Sequence, residues 1–186
     1  MSSIIRRPVV LAVCASSVLL AACSGMSGPQ STATVAPPVP AAVAVPAGNK
    51  LAFTLKGSGL LNYECRAKAD SAGLFEWALV SPDAVLRDSS DALVGKYYGG
   101  PTWEHADGSK VTGKQLAVSP APVTGNIPWQ LVQANPSTGT GVLNGVTYVQ
   151  RINTNAGVAP GDVCSAATVA ARKQVRYSAD YLFFKA

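Results

Sequence analysis

Thr102-Trp103-Glu104-His105-Ala106-Asp107-Gly108-Ser109-Lys110-Val111-Thr112 is the stretch on which the fold turns. It reads as two strand-like runs, Thr102–His105 and Lys110–Val118, joined through Asp107-Gly108, a pair suited to the positive φ that a tight hairpin turn requires. The same grammar extends outward in both directions. Leu51-Ala52-Phe53-Thr54-Leu55 alternates large apolar with small or polar residues until Gly57 and Gly59 break it, and Leu60–Arg66 follows. Phe75–Val80 is stopped by Ser81-Pro82-Asp83; Ala92–Tyr98, Trp129–Ala134, Val146–Asn153 and the Tyr- and Phe-rich Val175–Phe184 complete the series. Gly, Pro, Asn and Asp punctuate these runs, as in an all-β sandwich or barrel. Only Asp162–Ala171 has a helical look, a single short turn beside Cys164. The expectation is one antiparallel β-domain over residues 50–186, a sandwich or a barrel.

The residues before this domain read as an address. Arg6 and Arg7 precede an apolar run from Pro8 to Leu20, which ends in Leu20-Ala21-Ala22-Cys23. A basic start, a short hydrophobic stretch and small residues before a cut make an export signal, and the stretch is shorter than the ~20 apolar residues a spanning helix needs. Cysteine directly after the cut resembles the lipobox of bacterial lipoproteins. That resemblance implies cleavage after residue 22, a diacylglycerol thioether on Cys23, and anchoring in a membrane of the bacterial cell envelope. Ser24, in place of an aspartate, points to the outer membrane. Apart from Cys23, Met26, Gln30 and Asn49, residues 23–49 are Ser, Gly, Thr, Ala, Val and Pro, with no charge before Lys50. Such a segment buries too little to offset its ordering entropy and is expected to be a disordered tether.

Composition excludes several classes. The formal charge of +5 falls to +3 once Arg6 and Arg7 are removed, and the remaining basic residues are scattered. No nucleic-acid groove with interleaved aromatics is legible. Of four cysteines, Cys14 lies in the signal and Cys23 takes the lipid, leaving Cys65 and Cys164. In an oxidising compartment such a pair most simply forms one disulfide. Two isolated thiols lack the paired spacing of zinc sites, and no cofactor is expected.

Five ordered blocks carry a resemblance to a known family. They are Gly59-Leu60-Leu61-Asn62-Tyr63-Glu64-Cys65, then Tyr98-Gly99-Gly100-Pro101-Thr102-Trp103-Glu104 with Asp107-Gly108-Ser109 behind it, and then Ile127-Pro128-Trp129. Gln150-Arg151-Ile152-Asn153-Thr154 with Pro160 and Cys164, and Tyr177-Ser178-Ala179-Asp180-Tyr181-Leu182-Phe183, complete them. Together they resemble domain-of-unknown-function family 3455, found in bacterial envelope proteins and secreted fungal proteins. The chain departs from it where Leu61 or Asn62 stands for a usual glutamine, and where Tyr97 stands for a common histidine. The resemblance implies a compact β-domain and a Cys65–Cys164 pair, and no activity.

Chemistry-bearing residues are sparse. Trp103-Glu104-His105-Ala106-Asp107 holds the single histidine and two of ten acids. Strand alternation sets Trp103 and His105 on one face and Glu104 on the other, so Glu104 and His105 are weak catalytic candidates. A Ser-His-Asp arrangement would draw on Ser109 and Asp107, yet neither G-x-S-x-G nor H-E-x-x-H occurs, and turn chemistry alone accounts for Asp107-Gly108. Arg151 and Asp180 are expected to pair internally, since a buried charge needs a partner. Tyr97, Trp103, His105 and Trp129 are the ligand-binding candidates, because aromatic faces beside Gly-Pro and Pro steps suit the rim of a pocket. Core packing is the competing role for these aromatics. The function expected is a lipid-anchored, non-catalytic β-module that binds a small molecule, a glycan or an envelope protein. An envelope hydrolase acting on glycan or cell wall is the alternative.

Overall fold

Eight antiparallel strands follow one another in chain order and the last pairs with the first, closing a barrel. The computed structural model describes residues 36–186; the expected signal peptide, Cys23 and the first part of the tether lie outside the described residues. The strands are β1 (Lys50–Ala67), β2 (Phe75–Arg87), β3 (Leu93–Tyr98), β4 (Thr102–His105), β5 (Lys110–Ser119), β6 (Trp129–Ala134), β7 (Val146–Ala156) and β8 (Arg172–Lys185). Of the two architectures open from sequence, closure selects the barrel. Among the described residues the only helical pieces are 3-10 turns at Ala41–Val43 and Ala166–Thr168, the second beside Cys164 as expected.

Two strands run through residues expected to end them. Gly57 and Gly59 lie within the 18-residue β1. A Cβ on Gly57 would sit 2.4 Å from the Tyr181 ring, and one on Gly59 would sit 2.2 Å from the Asp83 carbonyl. These glycines make room for a ring and for close approach of the neighbouring strand, a use of glycine that does not interrupt pairing. Ser81-Pro82-Asp83 likewise lies inside β2, where the register against β1 shifts between Asn62 and Tyr63. The extra residue there is Val80, and Pro82, opposite Leu61, lies at the edge of the β2–β3 pairing, which begins at Asp83; proline is tolerated at such an edge and beside a bulge. Of Asp107 and Gly108, only the glycine takes positive φ, at 89°.

Alternation fills the barrel from all sides. Leu55, Leu61, Leu86, Val111, Val132, Val149 and Tyr181 belong to one inner cluster around Trp103 and Phe183. Tyr97 and Trp103, paired across β3 and β4, stack at 4.9 Å, and Trp103 meets Tyr181 and Phe183 edge-on at 5.8 and 6.2 Å. Both ends are stopped by loops: Leu143 from the β6–β7 connection and Ile127 from the β5–β6 connection join the same inner cluster. At the Ile127 end, the Cys65–Cys164 disulfide ties the β7–β8 connection to β1. Ala170 N–H and Cys65 N–H add backbone bonds of 2.8 and 2.9 Å across the same join.

A second cluster lies on the outside of the barrel. Trp129, Leu131, Ile152, Leu182 and Phe184 are covered there by Val43, with Val39, Val45 and Leu51 packed alongside. Val43 has no exposed surface, and Gln150 Nε2 donates to its carbonyl at 2.6 Å. Composition assigned residues 23–49 to a disordered tether; from Val39 onward this stretch is instead a strap docked on the sheet. Val39, Val43 and Val45 supply the apolar surface that a Pro- and Ala-rich count conceals.

Candidate functional site

The β4–β5 hairpin carries most of the candidate residues and distributes them to three environments. Trp103 and Tyr97, 1 % and 5 % exposed, are interior packing and do not form a rim. Glu104 faces outward, as alternation requires, and is clamped: Tyr98 donates its hydroxyl to Oε2 at 2.5 Å, Lys110 Nζ lies 3.1 Å from the same oxygen, and Lys96 Nζ lies 3.6 Å from Oε1. Tyr98, then Lys110, hold the Glu104 carboxyl below its usual range. Both lysines also stand over the Tyr98 ring, at 5.5 and 5.9 Å from its centre. A carboxylate so held is a poor proton acceptor.

His105 sits at the hairpin end beside Asp107. The Asp107 N–H donates to His105 Nδ1 at 3.2 Å, and Asp107 Oδ2 lies 3.0 Å from the same nitrogen. Ser109 donates its hydroxyl to Asp107 Oδ1 at 2.6 Å. The three residues of the expected Ser-His-Asp set are therefore together, but in the wrong order. The aspartate bridges serine and histidine, whereas nucleophile activation requires the imidazole between the other two. Ser109 is also fully buried. Its hydroxyl accepts the Leu143 N–H at 3.2 Å, and Asp107 Oδ2 accepts the Val142 N–H at 2.7 Å. The cluster fastens the Leu143 stopper to the barrel. Among the described residues no three His, Cys, Asp or Glu side chains gather as metal ligands would.

Beside this hairpin end a groove of about 450 Å³ runs over β2, β3 and β4. Val85, Leu93 and Ala106 give it an apolar lining, while Lys96, Glu104 and His105 supply polar and charged atoms. Its floor passes Gly95, where a Cβ would lie 2.3 Å from the Glu104 carbonyl, so β3 and β4 approach there without an intervening side chain. Leu93 is 59 % exposed, a large apolar residue left facing solvent beside three ionisable groups. Sequence reasoning singled out Glu104 and His105 but missed Val85, Leu93 and Lys96. Their outward register on β2 and β3 is fixed by barrel pairing and not by local pattern.

Arg151 is the other residue whose surroundings differ from expectation. In the β7–β8 register Arg151 opposes Tyr181 and Ile152 opposes Asp180, so Arg151 and Asp180 point to opposite sides of the sheet. Asp180 accepts instead from Asn153 Nδ2 at 2.8 Å. Arg151 is buried, donates Nη2 to the Pro128 carbonyl at 3.0 Å, and leaves Nε without a partner. It stands near the Tyr63, Tyr97, Tyr177 and Tyr181 hydroxyls. Burial pushes each of these above the ordinary phenol range, and the Arg151 charge pulls each part of the way back. The arrangement holds the 120–128 loop over its barrel end.

Trp129 is 8 % exposed and lies outside the barrel beneath the strap. Its indole Nε1 and the Gln150 Oε1 are both buried without hydrogen-bond partners. No curated protein and no solved structure matches this chain. The blocks read in the sequence, the closed barrel and the Cys65–Cys164 bridge agree with the family that does match: over residues 46–185 the chain belongs to the family described as protein of unknown function (DUF3455).

Proposed function

We propose that this chain is a lipid-anchored protein of the bacterial cell envelope, held through acyl chains on Cys23, whose barrel binds a ligand or partner without transforming it. One observation carries the binding role: the interior is filled and stopped at both ends, while the groove over β2–β4 sets exposed Val85 and Leu93 beside Lys96, Glu104 and His105. Apolar lining with a few polar groups is the usual composition of a ligand surface. The ligand chemistry it suits is an apolar ring or chain bearing a polar or charged head, as glycolipids and substituted glycans do. The non-catalytic character is supported by Glu104 being committed to Tyr98 and two lysines, and by Ser109 being committed to Asp107.

Two experiments test the proposal. Metabolic labelling with a fatty acid should tag the wild-type chain and leave a Cys23→Ala chain unlabelled and released from membranes. A labelled Cys23→Ala chain would remove the anchor. For the barrel, amide NMR shifts on adding envelope glycans and detergents of known head group should cluster at Val85, Leu93, Lys96 and His105, and Leu93→Glu should abolish them. Shifts confined to other surfaces would overturn the groove, and turnover of any added glycan would favour the hydrolase.

A further inference from the structure

Charge is distributed unevenly around this barrel. From Gln115 to Gly161 the chain carries one charged residue, Arg151, and that one is buried. The second half of β5, all of β6 and β7, and the connections between them therefore present no exposed charged side chain, and neither does the strap laid over them. The remaining charges of the barrel lie on residues 50–114 and 162–185. What the uncharged flank does present is apolar. Val118, Pro120, Ala121, Val123 and Val158 line a depression of about 450 Å³ at the Ile127 end, with no charged residue in its walls. Val123 is 63 % exposed, and Val118 and Val158 are exposed beside it. Leu116, unpaired where the β5–β6 register shifts, adds another exposed apolar side chain on the same strand. Exposed apolar surface of this kind marks an interaction site.

The strap leads the chain to this flank. Asn49 is held by Thr147 at the start of β7, and the Val43 carbonyl by Gln150 farther along that strand. The 3-10 turn at Ala41–Val43 lies against β5 and β6. Val39, upstream of the turn, packs against the cluster that Ala117 and Ala121 also flank, and Ala121 lines the depression as well. The docked strap thus carries the chain from the Leu143 end, where β1 starts, toward the depression. From Cys23 to Ala36 the chain can span at most about 45 Å; with the strap undocked it would span about 95 Å and start from the other end. A lipid on Cys23 is therefore joined to the barrel through the wall that carries no charge.

We propose that this flank, centred on Val118, Val123 and Val158, lies on the surface of the bilayer that holds the Cys23 acyl chains. The inference rests on the anchor proposed above and gives the barrel an orientation upon it. Docking a charge-free face strips no ion of its water. The tether keeps the bilayer at high local concentration, so a small apolar area is enough to hold the face down. The charged walls stay in water. The His105 groove, at the Leu143 end, opens away from the bilayer. Because the contact is apolar, it depends neither on anionic lipid nor on salt.

The test uses the acylated chain as the cell produces it, in phosphatidylcholine vesicles with a small fraction of phosphatidylcholine bearing a diazirine on its acyl chain. After illumination, the adducts are mapped by mass spectrometry. They should concentrate on residues 116–126 and 157–160 and persist in high salt, which screens contacts between charges. The double variant Val123→Glu, Val158→Glu should lose these adducts several-fold. It should still pellet with the vesicles and keep its melting temperature, since both side chains are exposed. A chain whose mass shows no acyl groups would remove the anchor, and this orientation with it. An acylated, vesicle-bound chain whose adducts fall on the charged walls, spread evenly over the barrel, are absent or vanish in high salt would overturn the orientation and leave the anchor standing. Loss of adducts from the flank together with a doubled mass in mild detergent would overturn it too, and assign the face to a second copy of this chain.

Discussion

Ser109 gives its hydroxyl proton to Asp107, Oγ to Oδ1 at 2.6 Å, and has no exposed surface of its own. Together the two residues hold the neighbouring loop: the serine oxygen accepts from Leu143 N–H and the aspartate from Val142 N–H. Gly141 passes so close that a Cβ there would lie 2.2 Å from the carboxylate. A hairpin turn and a barrel stopper are thus one unit, and the chemistry-bearing residues of the turn are consumed in making it.

Ser109→Ala removes a bond to Asp107 and leaves the Leu143 N–H without its acceptor. Losing a buried partner costs about 1–3 kcal/mol, so the urea midpoint should fall with an unchanged slope. Gly141→Ala should be the more damaging change, because the new methyl meets the carboxylate itself. An unaltered midpoint for Ser109→Ala would show that the latch contributes nothing to stability.

Acid should open the latch. The Ser109 hydroxyl, then the Val142 N–H, hold the Asp107 carboxyl well below the usual aspartate range. A group with a depressed native pKa contributes stability above its unfolded pKa of about 3.9 and loses that contribution as pH falls toward the native value. The wild type should therefore outlast Asp107→Asn in thermal melts at neutral pH, and the gap should narrow below about pH 4. A gap that stays constant from neutral pH into this acid range would contradict the assignment.

Gly57 tests how the barrel admits its largest rings. An added methyl would reach Tyr181 Cε2 at 2.4 Å, and that ring is already enclosed by Tyr97 and Trp103. Overpacking of this kind costs about 1–3 kcal/mol, so Gly57→Ala should lower the melting temperature while Ser58→Ala, facing solvent next door, changes it little. Equal effects at both positions would show that the ring has room to move.

The gap between sequence and structure follows from what local pattern encodes. Apolar runs and the turn residues between them located part of every strand, although β1 read as two runs and β2 as ending at Val80, and Asp107-Gly108 located the hairpin. Gly57 and Gly59 read as stops because their permissive roles depend on Tyr181 and Asp83, far off in sequence, and Pro82 because the neighbouring bulge and the edge of the β2–β3 pairing leave no local pattern. Arg151 and Asp180 looked like a pair, but register sends them to opposite sides. Trp129 and the strap were invisible for a related reason: an outer face is buried only where another segment lies on it. The Val85–Leu93–His105 groove depends on pairing of β2 with β3 and β4, so only its hairpin half was legible.

Alkali provides the sharpest reading of the interior. Of six tyrosines in the chain, Tyr63, Tyr97, Tyr177 and Tyr181 are buried and their hydroxyls are raised above the ordinary phenol range by loss of solvent. The native state therefore keeps these protons where the unfolded chain releases them. Stability is full below the unfolded pKa of about 10 and falls as pH rises beyond it, with each tyrosine adding to the slope. Arg151 tempers the effect, since its charge favours the phenolates. Phenolate absorbance followed against pH should show these four appearing together with loss of β-sheet circular dichroism, in one cooperative step. Replacing Arg151 with Met should move that step to lower pH, because the native phenols then lose a charge that favours their ionisation and their gap from the unfolded value widens. Gradual ionisation of all six tyrosines without unfolding would mean that solvent reaches the barrel interior, and the filled core described here would have to be abandoned.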